Sequence, residues 1–205
     1  MAGNAFDLSG GLAPPDEIHV GGPPRDGIPA LTDPAFVPAA QADFLAPDDR
    51  ILGLTPGGEA RAYPIAILNR HEIVNDGIGG RAVAVTYCPL CGTGVAFDAL
   101  HTGRRVEFGV SGLLYNSDVL LYDRQTESLW SQIAKQAVTG PMKGQRKRAR
   151  LRRQRLSTAR HHRVLVRLVC LSSADRDLYR GSPALTLRHG LPDSPTNPTE
   201  PNPTR

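Results

Sequence analysis

Two cysteines, Cys88 and Cys91, are separated by two residues in the run Thr86-Tyr-Cys-Pro-Leu-Cys-Gly92, and the chain has three cysteines in all. They follow an alternating apolar run, residues 81–87, which predicts a β-strand. A Cys-x-x-Cys pair at the end of a strand brings two sulfurs close enough to bind one metal ion or to form a disulfide. The sequence therefore places its clearest chemistry at the end of this strand.

Three interpretations of the cysteine pair remain open. Cys-Pro-x-Cys-Gly is the form of a metal-binding knuckle, and two thiolates with a neutral imidazole suit zinc or copper. His71 is the best candidate for the third ligand, giving a Cys88, Cys91 and His71 site. The pair could instead be a redox dithiol, although the following Gly92-Thr-Gly94 is poor helix, which argues against a thioredoxin-like arrangement. The third interpretation is a pair of buried apolar cysteines.

The run from His71 to Asp76 carries four polar side chains within six residues. A histidine beside a carboxylate can be a metal ligand with a residue that orients it, or a general base. Glu72 and Asp76 are the catalytic candidates, and Glu72 and Asn75 are the candidates for supporting the metal ligands. The competing interpretation is a turn in which Asn75 and Asp76 cap backbone groups.

A loop rich in Gly, Ser and Asn is expected at residues 109–118, between two strands. Its polar side chains could line a small-ligand or partner site, which is the alternative, non-catalytic function. The loop lacks the Gly-Lys-Ser/Thr ending of a phosphate-binding loop, so no nucleotide cofactor is expected. The candidate ligand-binding residues are Ser111, Tyr115, Asn116, Ser117 and Asp118.

Short strands separated by Gly-rich turns predict a predominantly β, or β-rich α+β, single compact domain. Residues 50–64 read as a hairpin, with Pro56-Gly-Gly58 supplying the turn, and residues 65–70 read as a short helix. Further strands are expected at residues 94–99, 104–110 and 117–123, and residues 126–139 are expected to form a last strand or a short helix. Trp130 is expected in the core, and Arg124 is expected to pair locally with Glu127.

Composition divides the chain into three parts. Residues 1–48 are rich in Pro and Gly and are expected to form an arm packed on the domain, and residues 49–145 form the β-rich core domain. Up to Lys143 there are ten Lys or Arg and sixteen Asp or Glu, a net charge of −6, and the remainder carries fourteen and four, a net charge of +10. Residues 146–205 are therefore expected to be a basic, low-complexity and disordered tail.

Nucleic-acid association through the basic tail is a third hypothesis. The run 143–167 has no aromatic residues interleaved with its cations for stacking on bases, which argues against it. No run of 18 or more apolar residues predicts a transmembrane helix, and the N-terminus does not have the pattern of a signal peptide.

Several stretches together resemble a largely bacterial and archaeal family, "domain of unknown function 3179". The resemblance spans about residues 4 to 145 and carries no established activity. Many members look like exported or lipid-anchored proteins, which implies an extracytoplasmic location. The matching stretches are residues 21–31, 58–64, 67–76, 85–93, 108–118 and 122–132.

The resemblance is expected to end near Arg146, where charge and aromatic content also change. An Arg/Ala/Leu/Pro-rich run is typical of GC-rich coding DNA read out of frame. The tail is therefore interpreted as a truncated or frameshifted C-terminus, which resequencing of the locus tests.

Overall fold

The structure is a computed structural model that describes residues 6–147, together with the backbone of residues 154–158 and 166–169. Strands dominate the described part, and its α-helix has seven residues. The prediction of a predominantly β fold is confirmed. No helix in this part of the chain has the length and apolar character needed to cross a membrane.

The elements follow one another in short segments. The α-helix, α1, is Ile65–His71, and three short 3-10 helices are Pro15–Glu17, Ala39–Gln41 and Pro56–Gly58. The strands are β1 (Ile18–Val20), β2 (Leu31–Thr32), β3 (Phe36–Pro38), β4 (Arg50–Leu54), β5 (Ala60–Pro64), β6 (Ile73–Ile78), β7 (Arg81–Cys88), β8 (Thr93–Asp98), β9 (Leu100–His101), β10 (Arg104–Arg105), β11 (Phe108–Tyr115), β12 (Asp118–Asp123), β13 (Leu129–Ser131), β14 (Gln136–Ala137), β15 (Gln154–Thr158) and β16 (Val166–Val169).

Three of the sheets form the body of the domain. Sheet A has the strand order β1-β11-β12-β13-β14, sheet B has β2-β6-β7-β8, and sheet C has β15-β4-β5-β16-β3. A two-stranded ribbon, β9 with β10, lies beside them. Pairing is antiparallel except between β2 and β6 and between β5 and β16.

Sheet B is buried on both faces. One face of β7, with Val83, Val85 and Tyr87, packs against residues of sheet C and α1. The other face, with Ala84 and Cys88, packs against residues of sheet A such as those around Trp130. A strand covered on both sides explains the nearly continuous apolar sequence of β7. The cysteine turn therefore begins at the end of a strand that is buried on both faces.

The predicted hairpin and helix are confirmed. Strands β4 and β5 pair antiparallel across Pro56–Gly58, where Gly57 and Gly58 have positive φ as the turn demands. Helix α1 follows at once, and Pro64 lies just before its first residue rather than within it. The helix packs Ile65, Ile67 and Leu68 into the core between sheets B and C.

Residues 109–118 differ from the expected loop, because most of them belong to β11. A bulge between Val110 and Leu113 interrupts the pairing with β12. Gly112 has a φ of +76°, and a Cβ there would collide with the carbonyl oxygen of Pro23. The glycines that suggested a loop therefore permit close approach of the N-terminal segment to a strand.

The N-terminal segment lies against the outer face of sheet A. Arg25 stacks on the ring of Tyr122 and pairs with Glu127 at 2.7 Å. Asp26 accepts hydrogen bonds from Arg124 and from the Tyr122 hydroxyl. The expected local pair of Arg124 with Glu127 is wrong, because both side chains are bound to residues 25 and 26.

The predicted tail falls mostly outside the described residues. Two of its segments are described: β15 pairs with β4, and β16 lies between β5 and β3. The predictions of disorder, of a frameshift and of nucleic-acid binding apply to the whole tail, residues 146–205, most of which lies outside the described residues.

Candidate metal centre

The turn between β7 and β8 holds the two cysteines. Cys88 is the last residue of β7, and the N–H of Gly92 donates to its carbonyl oxygen at 2.9 Å. Gly92 has a φ of +67°, a conformation that favours glycine and returns the chain into β8. The N–H of Cys91 points at the sulfur of Cys88, with a distance of 3.5 Å from N to Sγ. The backbone thus directs a positive dipole at one sulfur, as a metal-bound thiolate requires.

Asp118 reaches the same place from sheet A. It is the first residue of β12, after a two-residue hairpin turn in which Asn116 and Ser117 both have positive φ. The N–H of Ile133 donates to its Oδ2 at 3.1 Å, and the Cys91 thiol donates to its Oδ1 at 3.4 Å. The carboxylate is therefore held between the cysteine turn and the end of β13.

Cys88, Cys91 and Asp118 form one group in which each residue offers a donor atom within 4.8 Å of the others. Donor atoms bound to one tetrahedral zinc ion lie about 3.8 Å apart, as bond lengths of about 2.0–2.3 Å require, so small side-chain rotations would bring them to one ion. Cys88 and Asp118 are buried, whereas Cys91 is exposed. The group is closed on its protein side and open to solvent at Cys91.

Burial controls the ionisation of two members of the group. It raises the pKa of the Cys88 thiol to about 11, and the hydrogen bond with Cys91 adds to this shift. It also raises the pKa of Asp118, against the hydrogen bonds from Ile133 and Cys91 that favour the carboxylate. Burial removes the water that would stabilise the charged form of each group. A bound cation would stabilise that charged form instead.

His71, the predicted third ligand, is not a member of this group of three. It ends α1 and is partly buried, and its Nδ1 lies 2.8 Å from the carbonyl oxygen of Pro29. Asp118, and not His71, lies with the two cysteines. In the sequence, Asp118 belongs to the candidate ligand-binding residues of the neighbouring loop.

Glu72 lies one strand away from the cysteine turn. Its carbonyl oxygen accepts a hydrogen bond from the N–H of Tyr87, the residue before Cys88. Its side chain is 9% exposed, and burial raises its pKa from 4.5 to about 7. Its φ of +55° is uncommon for a residue with a Cβ. A residue that combines an uncommon backbone φ with a buried carboxyl group of raised pKa is typical of functional positions.

Asn75 and Asp76, the other polar residues of this run, hold the fold together. The Asn75 amide exchanges two hydrogen bonds with the backbone of Phe108, at 2.8 and 2.9 Å, and so joins sheet B to sheet A. Asp76 accepts hydrogen bonds from Arg61 and the Tyr63 hydroxyl, both at 2.5 Å. Neither side chain is a member of the group around Cys88.

The other candidate ligand-binding residues lie on the β11–β12 hairpin. The Ser111 hydroxyl is buried in the bulge, where it donates to Leu120 O and accepts from Leu113 N. Tyr115 packs on the apolar cluster of the outer face of sheet A. Asn116 and Ser117 form the exposed turn. Of the predicted set, Asp118 is the residue that the structure places with the cysteines.

A family model described as "Protein of unknown function (DUF3179)" matches residues 25–165, and the chain belongs to this family. The match begins and ends later than the resemblance in the sequence analysis, and it includes β15. Searches of curated proteins and of solved structures found no match. Because the family has no stated activity, function has to be argued from the site itself.

Proposed function

We propose that this member of the family binds one Zn²⁺ ion through the thiolates of Cys88 and Cys91 and the carboxylate of Asp118. The observation that carries the proposal is that three residues, from two sheets, place their donor atoms within 4.8 Å of one another. Among the described residues, this is the one group of three His, Cys, Asp or Glu side chains whose possible metal-binding atoms lie this close together.

The donor set favours zinc over copper. Cu(I) is selected by soft sulfur ligands, whereas a carboxylate is a hard ligand that Zn²⁺ accepts together with thiolates. The sequence alone left zinc and copper open because a thiolate and imidazole set suits either ion. Replacing the imidazole by the Asp118 carboxylate moves the preference toward zinc.

Three protein ligands leave a fourth position for water or a substrate. Catalytic zinc sites keep such an open position, whereas structural sites use four protein ligands. The exposed Cys91 places that position at the surface, where a substrate could reach it. The proposed activity is therefore polarisation of a bound water or carbonyl group by the metal.

Metal analysis of the purified protein tests the proposal. Purification under reducing conditions with zinc should yield one zinc ion per chain, and Cys88→Ser, Cys91→Ser and Asp118→Asn should each lose most of it. His71→Ala is the matched comparison and should retain zinc. A wild-type protein without zinc, or cysteine variants that bind it fully, would overturn the proposal. Loss of zinc in His71→Ala with retention in Asp118→Asn would restore the ligand set expected from the sequence.

A dithiol–disulfide couple is the second candidate function, and the approach of Cys91 N–H to the Cys88 sulfur favours it. The exposed Cys91 thiolate would attack a small disulfide RSSR, releasing RS⁻, which takes up the thiol proton. The Cys88 sulfur would then attack Sγ of Cys91, forming the intramolecular disulfide and releasing a second RSH. Intact-mass measurement of the Cys170→Ser variant after incubation with oxidised glutathione should show the loss of two hydrogens, and an unchanged or glutathionylated mass would contradict the proposal.

A further inference from the structure

We infer that Gln132 is a positioning residue of this centre, which joins the cysteine turn to Asp118. The inference rests on the proposed zinc site and extends it to a residue that donates nothing to the metal. Sequence analysis did not single out Gln132. It lies directly after β13, in the stretch Ser131-Gln-Ile133.

The two halves of the centre belong to different sheets and need a connection. Cys88 and Cys91 lie at the β7–β8 turn of sheet B, and Asp118 begins β12 of sheet A. Cys91 and Asp118 are 27 positions apart in the chain. The spacing between thiolates and carboxylate therefore depends on how sheets A and B are held at this end.

The side chain of Gln132 binds the cysteine half. It is fully buried, and its Nε2 donates to Thr86 Oγ1 at 2.9 Å and to Thr93 O at 3.3 Å. Thr93 is the strand partner of Cys88. Thr86 precedes Cys88 by two residues, so both side chains lie on the same face of β7. The Gln132 amide thus contacts both the residue two positions before Cys88 on β7 and the residue opposite Cys88 on β8.

The backbone after Gln132 binds the other half. The next residue, Ile133, donates its N–H to Oδ2 of Asp118 at 3.1 Å. Two consecutive residues therefore hold both halves of the centre, one through a side-chain amide and one through a backbone amide. Loss of the side-chain bonds would free this segment to move away from sheet B and carry Asp118 with it.

The oxygen of the Gln132 amide, unlike its nitrogen, has no hydrogen-bond partner among the described residues. This oxygen, Oε1, is buried. Burying an unpaired acceptor lowers stability, so stability alone gives no reason for glutamine here. Asn75 provides the contrast, since it joins the same two sheets with its amide oxygen and nitrogen both bonded to Phe108.

Gln132→Met is the test variant, because it keeps the length of the side chain and removes the amide. Zinc affinity, measured by competition with a chromophoric chelator, should fall about 10–100-fold, as is typical when a residue supporting a metal ligand is lost. The melting temperature of the metal-free protein should change little, because the unpaired Oε1 is lost together with two hydrogen bonds. If this variant does not fold, Thr86→Val removes the acceptor of the same 2.9 Å bond.

Asn75→Leu is the matched control. Asn75 pairs with Ala84, four residues before Cys88 on β7, which places it roughly 13 Å away at about 3.3 Å per residue. This variant should melt at a lower temperature, because Phe108 N and O lose their partners, yet its folded form should bind zinc as the wild type does. An equal loss of affinity in both variants would show that general loosening explains the result and would overturn the inference.

Combining Gln132→Met with Asp118→Ala tests whether Gln132 affects metal binding through the position of Asp118. If Gln132 acts through Asp118, Gln132→Met should weaken zinc or Co²⁺ binding in the wild-type chain and add little once Asp118 is absent. The Co²⁺ absorption bands of Gln132→Met should likewise move toward those of Asp118→Ala. Additive losses would overturn the inference. A wild-type protein that binds no metal would instead refute the proposed function, so the two failures are distinguishable.

Discussion

Replacing Glu72 by glutamine should make the protein more stable at neutral and alkaline pH, and leave it unchanged in acid. Glu72 is 9% exposed, and burial raises the pKa of its carboxyl group from 4.5 to about 7. A shift of this size corresponds to roughly 3 kcal/mol between the two protonation states, since one unit is about 1.4 kcal/mol. Glutamine keeps the size and polarity of the side chain but cannot ionise.

The direction of the pH effect on stability depends on whether the folded or the unfolded state keeps the Glu72 proton. Between pH 4.5 and 7 the folded protein keeps the Glu72 proton while the unfolded chain has lost it. The unfolded state then binds fewer protons, so the free energy of unfolding of the wild type falls as pH rises through this window. Above pH 7 the penalty is complete, and Glu72→Gln should exceed the wild type by up to about 3 kcal/mol.

Urea denaturation at pH 4, 6 and 8, with a chelator present, measures the effect. The difference between Glu72→Gln and wild type should be near zero at pH 4, intermediate at pH 6 and largest at pH 8. Glu17→Gln, at an exposed position, is the control and should show no such trend. A difference that does not change with pH would refute the reasoning, because it would mean that burial does not oppose ionisation of Glu72.

Three further predictions concern the centre and its supports. Zinc affinity should rise at least tenfold per pH unit between pH 6 and 8, because binding displaces the proton from Cys88, whose pKa is raised to about 11; a chelator competition series that is flat with pH would contradict this. Asp76→Ala should lower the free energy of unfolding by about 3 kcal/mol, because the buried Tyr63 hydroxyl loses its acceptor and Arg61 keeps only Glu59 as a carboxylate partner. Zinc affinity of the folded protein should be kept, and a loss of zinc affinity with unchanged stability would contradict this prediction. Gly112→Ala should cost about 2 kcal/mol and speed limited proteolysis before residue 30, because its Cβ meets Pro23; equal cleavage rates would contradict the packing described.

The local elements could be predicted because their signals are local. The β4–β5 hairpin follows from apolar residues on either side of Pro56-Gly-Gly58, and α1 follows from Pro64 directly before the apolar run Ile65-Ala-Ile-Leu68. The buried strand β7 follows from its apolar run. In each case the same few residues carry the pattern and the backbone geometry, so no knowledge of distant contacts is needed.

The grouping of Asp118 with the two cysteines could not be predicted because it depends on contacts between sheets. Asp118 meets the cysteines only because β12 of sheet A begins beside the β7–β8 turn of sheet B. His71 is closer to Cys88 in sequence, but it ends a helix and contacts Pro29. A signal for Asp118 existed in the Asn116-Ser117 turn, which predicts a tight hairpin and hence a side chain fixed at its base. Nothing local indicated which sheet the hairpin would face.

Contacts with the N-terminal segment explain the remaining differences. Arg124 and Glu127 are three residues apart and could pair with each other, yet Arg124 pairs with Asp26, and Glu127 pairs with Arg25, which also stacks on Tyr122. Gly109 and Gly112 suggested a loop, although both belong to a strand. At Gly109 a Cβ would collide with the Tyr122 ring, so glycine there serves close packing. Composition indicated flexibility where tertiary contacts require small residues.

Three polar groups that lower stability lie at the cysteine turn or close to it. Cys88 is buried with a raised pKa, Gln132 buries an unpaired oxygen, and Glu72 combines a buried carboxyl with a positive φ. Away from the turn, buried polar side chains such as Asn75 and Asp76 have their hydrogen bonds satisfied. Among the described residues, the Arg105 guanidinium also has two buried nitrogens without hydrogen-bond partners. Uncompensated polar groups beside a pair of cysteines are expected where a bound ligand completes the interactions. A zinc ion at Cys88, Cys91 and Asp118 would offset the cost at the thiol and the carboxylate, so chelation should destabilise the wild type more than Asp118→Asn.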